Sequence, residues 1–182
     1  ISMLYLGRKR ATGLTLLVVT LGVYEQVNTT CESRSDMPRN YLSNCLCGNV
    51  KISLSLPNSI EGYELRACDC EFCQSNRITY ISDRGGSLLV ASRAPLIQIK
   101  QGSEQATFWQ CPSCKDVVAV TAMLNNGLKG AVNAQLFSRH LDLGVPVVVS
   151  PKFLSPKEKR IRWDSSWLRA SFNVRSYTND TV

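Results

Sequence analysis

Seven of the chain's eight cysteines lie in three tight groups: Cys45-Leu46-Cys47, Cys68-Asp69-Cys70-Glu71-Phe72-Cys73 and Cys111-Pro112-Ser113-Cys114. Thiols one or two residues apart can aim at a single ion, because the intervening loop is small and leaves both sulfurs on one side. Four thiolates close a tetrahedral zinc site, whereas three leave a position open to water or substrate. Seven clustered cysteines therefore imply one closed site and one open one. Disulfides are the rival reading, since eight is an even number, but stapled half-cystines belong to short secreted chains that cannot build a core. With 182 residues, 44% of them hydrophobic and 19% charged, this chain can bury a core and is long enough for one domain plus extensions. Thiols kept reduced are free to take zinc, so the expected location is cytoplasmic.

The formal charge of +7 suggests nucleic acid until it is divided along the chain. Residues 1–30 contribute +2, residues 31–149 carry eleven basic and ten acidic side chains, and residues 150–182 contribute +4. Ionised cysteines around two zinc ions would bring the total to about +4. A basic face is then confined to Lys152, Lys157, Lys159, Arg160 and Arg162, which read as a solvated segment, and a nucleic-acid partner is not expected.

The first residues need separate treatment. Arg8-Lys9-Arg10 followed by the apolar run Gly13 to Tyr24 has the order of a signal peptide, but no small-residue cleavage site follows. The run also falls short of the roughly 20 apolar residues that span a bilayer. The chain begins at Ile1, and Met37 lies eight residues before Cys45. Residues 1–36 are therefore read as an N-terminal extension or an over-extended start that the functional domain does not need, with a membrane-proximal anchor or export signal as the competing reading.

From Asn49 onward the pattern is that of strands. Val50, Ile52, Leu54 and Leu56 alternate with Lys51, Ser53 and Ser55, as in a strand with one buried face, and Pro57 stops it. Thr79 to Ile81 and Ser87 to Ala91 flank Asp83-Arg84-Gly85-Gly86, a hairpin signal. Leu96 to Lys100, Ala106 to Gln110, Val117 to Leu124, Ala131 to Leu136 and Val145 to Ser150 are further strands, with Asn125-Asn126-Gly127 as a second hairpin turn. No amphipathic stretch of ten or more residues stands out. The expected fold is a mainly β domain over residues 41–172, with at most a turn or two of helix after Cys73, and a C-terminal tail over 173–182. In that arrangement Cys45 and Cys47 precede one strand while Cys111 and Cys114 join two others, so two loops could meet across the sheet to close a four-cysteine site.

The order C-x-C-G from Cys45 to Gly48, C-x-C-x-x-C from Cys68 to Cys73 and C-x-x-C from Cys111 to Cys114, set among short strands, resembles the glutathione-dependent formaldehyde-activating enzyme family, or CENP-V/GFA domain. The resemblance covers roughly Tyr41 to Phe172. It implies an Mss4-like zinc-binding β-sheet fold, a structural zinc on Cys45, Cys47, Cys111 and Cys114, and a second, catalytic and less tightly held zinc on Cys68, Cys70 and Cys73. The activity it implies is that of a carbon–sulfur lyase, joining glutathione reversibly to formaldehyde as S-(hydroxymethyl)glutathione. The chain departs from the family pattern in having Asp69, Glu71 and Gln74 in and after the middle cluster, where His, Ser and a basic residue are usual. It also has Lys115 where Gly, which suits positive φ, usually follows the last cysteine.

The chemistry also follows from the ion. Three thiolates and a vacant position would let zinc bind a substrate thiol as its nucleophilic thiolate beside an electrophilic carbonyl. Asp69 and Glu71 could move the proton, although solvated loop carboxylates are the simpler reading. His140 is the only histidine and sits in a polar loop, and Cys31 stands alone as a bystander thiol. The class that competes with a thiol-dependent lyase is a non-catalytic zinc domain that binds a protein or nucleic acid.

Overall fold

The computed structural model describes residues 37–174. The readings made of residues 1–36, Cys31 among them, and of the tail beyond 174 lie outside the described residues. Those described are mainly β: eleven strands form one mixed sheet, with two α-helices. In chain order the elements are β1 (Arg39–Asn44), β2 (Val50–Leu56), β3 (Arg66–Cys68), α1 (Glu71–Ser75), β4 (Thr79–Ile81), β5 (Ser87–Ser92), β6 (Ile97–Lys100), β7 (Thr107–Gln110), β8 (Val117–Leu124), β9 (Gly127–Asn133), β10 (Val147–Val149), α2 (Pro156–Ser166) and β11 (Leu168–Val174).

The sheet runs in the order β1-β2-β5-β11-β9-β4-β3-β10, and β9 also pairs with β8, which leads through β7 to β6. The pairs β5–β11 and β3–β10 are parallel, and the others are antiparallel. Alternation decides the face of β2: Val50, Ile52, Leu54 and Leu56 are buried while Lys51 is exposed. They pack with Leu88, Val90, Val118, Val132 and Leu168 in the main core, which also holds Cys45 and Cys111. The middle strand β8 is buried on both faces. Ala119 belongs to that core, whereas Val120, Ala122 and Leu124, which point the other way, pack with Trp167 in a second one.

Several expectations need correction. The Asp83-Arg84-Gly85-Gly86 segment does not close a hairpin, because β4 pairs with β3 and β9 while β5 pairs with β2 and β11. Gly86 instead allows close packing: a Cβ there would stand 2.5 Å from the Ser55 carbonyl oxygen and 2.7 Å from Leu168 Cδ2. The strand expected over Ala131 to Leu136 ends at Asn133, whose side chain accepts from the Gln135 N–H and starts a 3-10 turn over Ala134–Leu136. The other hairpin signal is realised: Asn125 and Asn126 connect Leu124 to its partner Gly127. Helix is more extensive than expected, since α1 includes Cys73 and α2 runs for 11 residues. Helix α2 escapes a search for amphipathic periodicity because none of its residues is buried. Its start is nevertheless written in the sequence, as Ser155 caps Glu158 N–H, Glu158 reaches back to Ser155 N–H, and Pro156 opens the first turn.

Candidate metal centres and the adjoining cavity

Two loops bring Cys45, Cys47, Cys111 and Cys114 together, their sulfurs all within 4.8 Å of one another. The Sγ–Sγ distances are 3.5 Å for Cys45 and Cys47, 3.7 Å for Cys45 and Cys111, and 3.6 Å for Cys47 and Cys111. Four thiolates about 2.3 Å from a tetrahedral ion stand about 3.8 Å apart, so this donor set fits such an ion. The backbone builds the same device twice. Cys45 N–H donates to the Val50 carbonyl at 3.0 Å and Cys111 N–H to the Asp116 carbonyl at 2.9 Å, each folding a loop back over its cysteines. Both loops use a left-handed residue. Gly48 has φ +75°, and Lys115, in the position where a glycine was anticipated, has φ +64°.

Asp116 ties the loops to each other, accepting from Leu46 N–H at 2.7 Å and from Arg139 Nη2 at 3.2 Å. Asn49 Nδ2 donates to Ser113 Oγ at 3.0 Å across the same junction. Sequence reasoning missed these residues, because a lone Asp, Arg or Asn carries no spacing signal. Burial pushes the Cys45 thiol up to about 12, whereas the backbone N–H of Asn49 draws the exposed Cys47 down to about 6. A buried thiol that resists ionisation would become a thiolate only beside a bound cation, so this donor set suits a metal ion.

The second cluster is Cys68, Cys70 and Cys73, again with sulfurs within 4.8 Å of one another. Cys68 ends β3, Cys70 directly precedes α1, and Cys73 is the third residue of that helix. Cys73 is buried against Ile78 and Val117, and its sulfur lies 3.1 Å from Tyr80 Oη. The hydrogen bond from Cys73 draws the Cys68 thiol down to about 6, while that bond and burial push Cys73 up. Burial above all raises Tyr80, so this phenol stays protonated and can donate to the sulfur. The seven described cysteines are all free thiols, in place of the disulfide alternative.

A cavity of about 650 Å³ opens beside this cluster. Cys68, Cys70 and Cys73 form part of its wall, with Phe72, Tyr80 and Phe108 next to them. Helix α2 supplies another part through Lys159, Arg162, Trp163 and Ser166, residues that share a face at helical spacing. Lys152 joins them. The solvated reading of the basic segment is thus corrected for Lys152, Lys159 and Arg162. Helix α2 carries Lys159 and Arg162 to the cavity and the 3-10 turn Pro151–Phe153 carries Lys152, and local sequence cannot reveal that.

The proposed proton carriers differ in fate. Asp69 is not a solvated loop carboxylate: 20% of its side chain is exposed, and Oδ2 accepts from Lys152 Nζ at 2.9 Å and Ser150 Oγ at 2.7 Å. The Lys152 contact, then Ser150, holds its carboxyl below the usual range. Glu71 is exposed and lies on the cavity wall, and Gln74 is exposed on α1. His140 is exposed and lines a separate small cavity with Tyr41 and Phe137, so it is not brought to either cluster.

Compared with known proteins, the chain matches no family model and no curated protein. Among solved structures it is similar to the crystal structure of a Rhodobacter sphaeroides protein, with 24% identity over 60% of this chain and 100% of that one and a TM-score of 0.49. Among the described residues, no helix is long and apolar enough to cross a membrane.

Proposed function

We propose that the protein is a zinc-dependent carbon–sulfur lyase of the glutathione-dependent formaldehyde-activating type, acting on an adduct of glutathione or another small thiol. The observation that carries this reading is the opening of the three-cysteine cluster onto a cavity of about 650 Å³, a size in the range of small-molecule sites. On this reading the sheet is Mss4-like and Cys45, Cys47, Cys111 and Cys114 hold a structural zinc. Zinc held by Cys68, Cys70 and Cys73 would supply a cationic centre that favours the thiolate form of a substrate thiol.

The chain's own residues do the rest. Phe72 and Phe108, with ring centroids 4.9 Å apart, remove water from the cavity wall beside the sulfurs. Tyr80 holds the Cys73 sulfur in place through its hydroxyl. Adduct formation makes one carbon–sulfur bond and passes the thiol proton to the carbonyl oxygen, and the reverse breaks that bond. Glu71 is the carboxylate available for this proton, since Asp69 is engaged by Lys152 and Ser150. The basic segment and the altered Asp69 and Glu71 speak for a non-catalytic zinc domain, but Lys159 and Arg162 on the cavity wall suit a small anionic ligand better.

The reading is tested by NMR exchange of glutathione with formaldehyde, after subtraction of the unaided reaction. Zinc-loaded protein should accelerate exchange, and neither Cys70→Ser nor metal-free protein should do so. Equal rates in all three, with no binding of glutathione to the zinc form, would leave the non-catalytic alternative as the better account.

A further inference from the structure

The cavity wall carries four cations, Arg66, Lys152, Lys159 and Arg162, against one acid, Glu71. Two of the four are spoken for: Arg66 Nε lies 3.7 Å from Glu64 Oε1, and Lys152 is paired with Asp69. Among the described residues Lys159 and Arg162 form no ion pair. Both are only partly exposed and project from the α2 face that also bears Trp163. Trp163 stacks on Trp167 with centroids 4.7 Å apart, and these indoles share the cavity with Phe72, Phe108 and Tyr80. A ligand with several amide groups would set some of them against the aromatic faces, which costs hydrogen bonds, even though Ser75, Asn76, Gln101 and Ser103 also line the wall. A flat apolar body loses water favourably against the same rings, and one carboxylate answers a guanidinium with an ammonium beside it.

We propose that the cavity takes a small aromatic carboxylate, its ring against the aromatic walls and its carboxylate on Lys159 and Arg162. Resting on the function proposed above, this makes the natural thiol an aryl carboxylate rather than a peptide.

Calorimetric titration of the zinc-loaded full chain tests this with para-mercaptobenzoate, para-mercaptobenzamide, para-hydroxybenzoate and glutathione. The acid should bind about tenfold or more tightly than the amide, as expected for losing a charged hydrogen bond. The double variant Lys159→Gln with Arg162→Gln should bind the amide as wild type does and lose its preference for the acid. Glutamine keeps good helix propensity, and the unchanged amide affinity reports an intact cavity. Equal binding of acid and amide by wild type, a preference surviving in the double variant, or tighter binding of glutathione than of para-mercaptobenzoate would each overturn the proposal. Failure of the thiol reading shows elsewhere. If para-hydroxybenzoate binds as well as para-mercaptobenzoate while the acid-over-amide preference persists, the carboxylate site stands and the zinc–thiol contact falls.

Discussion

Lys115 holds its backbone at φ +64°, a conformation that costs a residue with a Cβ about 1–2 kcal/mol, because the turn from Cys111 to Asp116 needs it to aim both thiols. Lys115→Gly should therefore stabilise the zinc-loaded protein by about 1 kcal/mol, somewhat less than the strain relieved because glycine also loosens the unfolded chain. A shift of the urea midpoint to higher concentration checks this, and a lower midpoint would mean that the lysine side chain contributes contacts that outweigh its strain. Tyr80 is the second residue with a separable role. Tyr80→Phe removes the hydroxyl 3.1 Å from Cys73 Sγ, and loss of such a partner typically lowers metal affinity 10- to 100-fold, about 10-fold being expected here. Competition with a zinc chelator reads it directly: the three-cysteine site should release its ion earlier, with no change at the four-cysteine site.

At the scale of elements, α2 matters most, because it is mostly polar yet forms a wall of the cavity. With no buried residue of its own, it depends on its cap more than a core helix would. Ser155→Ala deletes the acceptor of Glu158 N–H, 3.3 Å away, and should cost about 1 kcal/mol in thermal or urea unfolding. The reciprocal bond gives a pH dependence. Hydrogen bonds from Ser155 hold the Glu158 carboxyl below its ordinary value of 4.5, so the box contributes above that value and is lost as pH falls through the lowered one. In Ser155→Ala the side-chain part of that contribution is lost while the residue-155 N–H still donates to Glu158, giving a smaller, not abolished, loss of α2 helicity on acidification than in wild type. Strand β11 then anchors the helix, pairing parallel to β5 and antiparallel to β9.

For the molecule as a whole, the two clusters occupy unlike surroundings and should respond unlike one another. Cys45 and Cys111 are fully buried within the main core, whereas Cys68 and Cys70 are half-buried at a cavity. Structural zinc contributes roughly 10–16 kcal/mol in small zinc peptides, comparable with the whole stability of a domain. Elemental analysis should find up to two zinc ions per chain, and a chelator should remove the one at Cys68, Cys70 and Cys73 first. Cys45→Ser or Cys111→Ser should abolish cooperative unfolding, while Cys70→Ser should keep the fold and lose one zinc. If Cys70→Ser unfolds the protein as thoroughly as Cys45→Ser, the middle cluster is structural and the proposed reaction has no site.

Local chemistry was readable without coordinates. The grouping of Cys45 with Cys47, of Cys68 with Cys70 and Cys73, and of Cys111 with Cys114 follows from spacing alone, as do β2, β8 and the turn at Asn125-Asn126, because pleat alternation and turn residues are short-range properties. Polar strands such as β1 and the mostly polar helix α2 were not, since neither carries an apolar stripe, although the capping box at Ser155 and Glu158 was there to be read. Only the tertiary structure decided which strands pair across the false hairpin at Gly86, that Asp116 bridges two loops 70 residues apart, and that Tyr80 meets Cys73. It also decided that Lys159, Arg162 and Trp163 face the same cavity as the three cysteines. Three of these depend on packing between segments distant in the chain, and Tyr80 meets Cys73, seven residues before it, through the way α1 folds onto β4; one chain's residue order records local preference but not which surfaces come into contact.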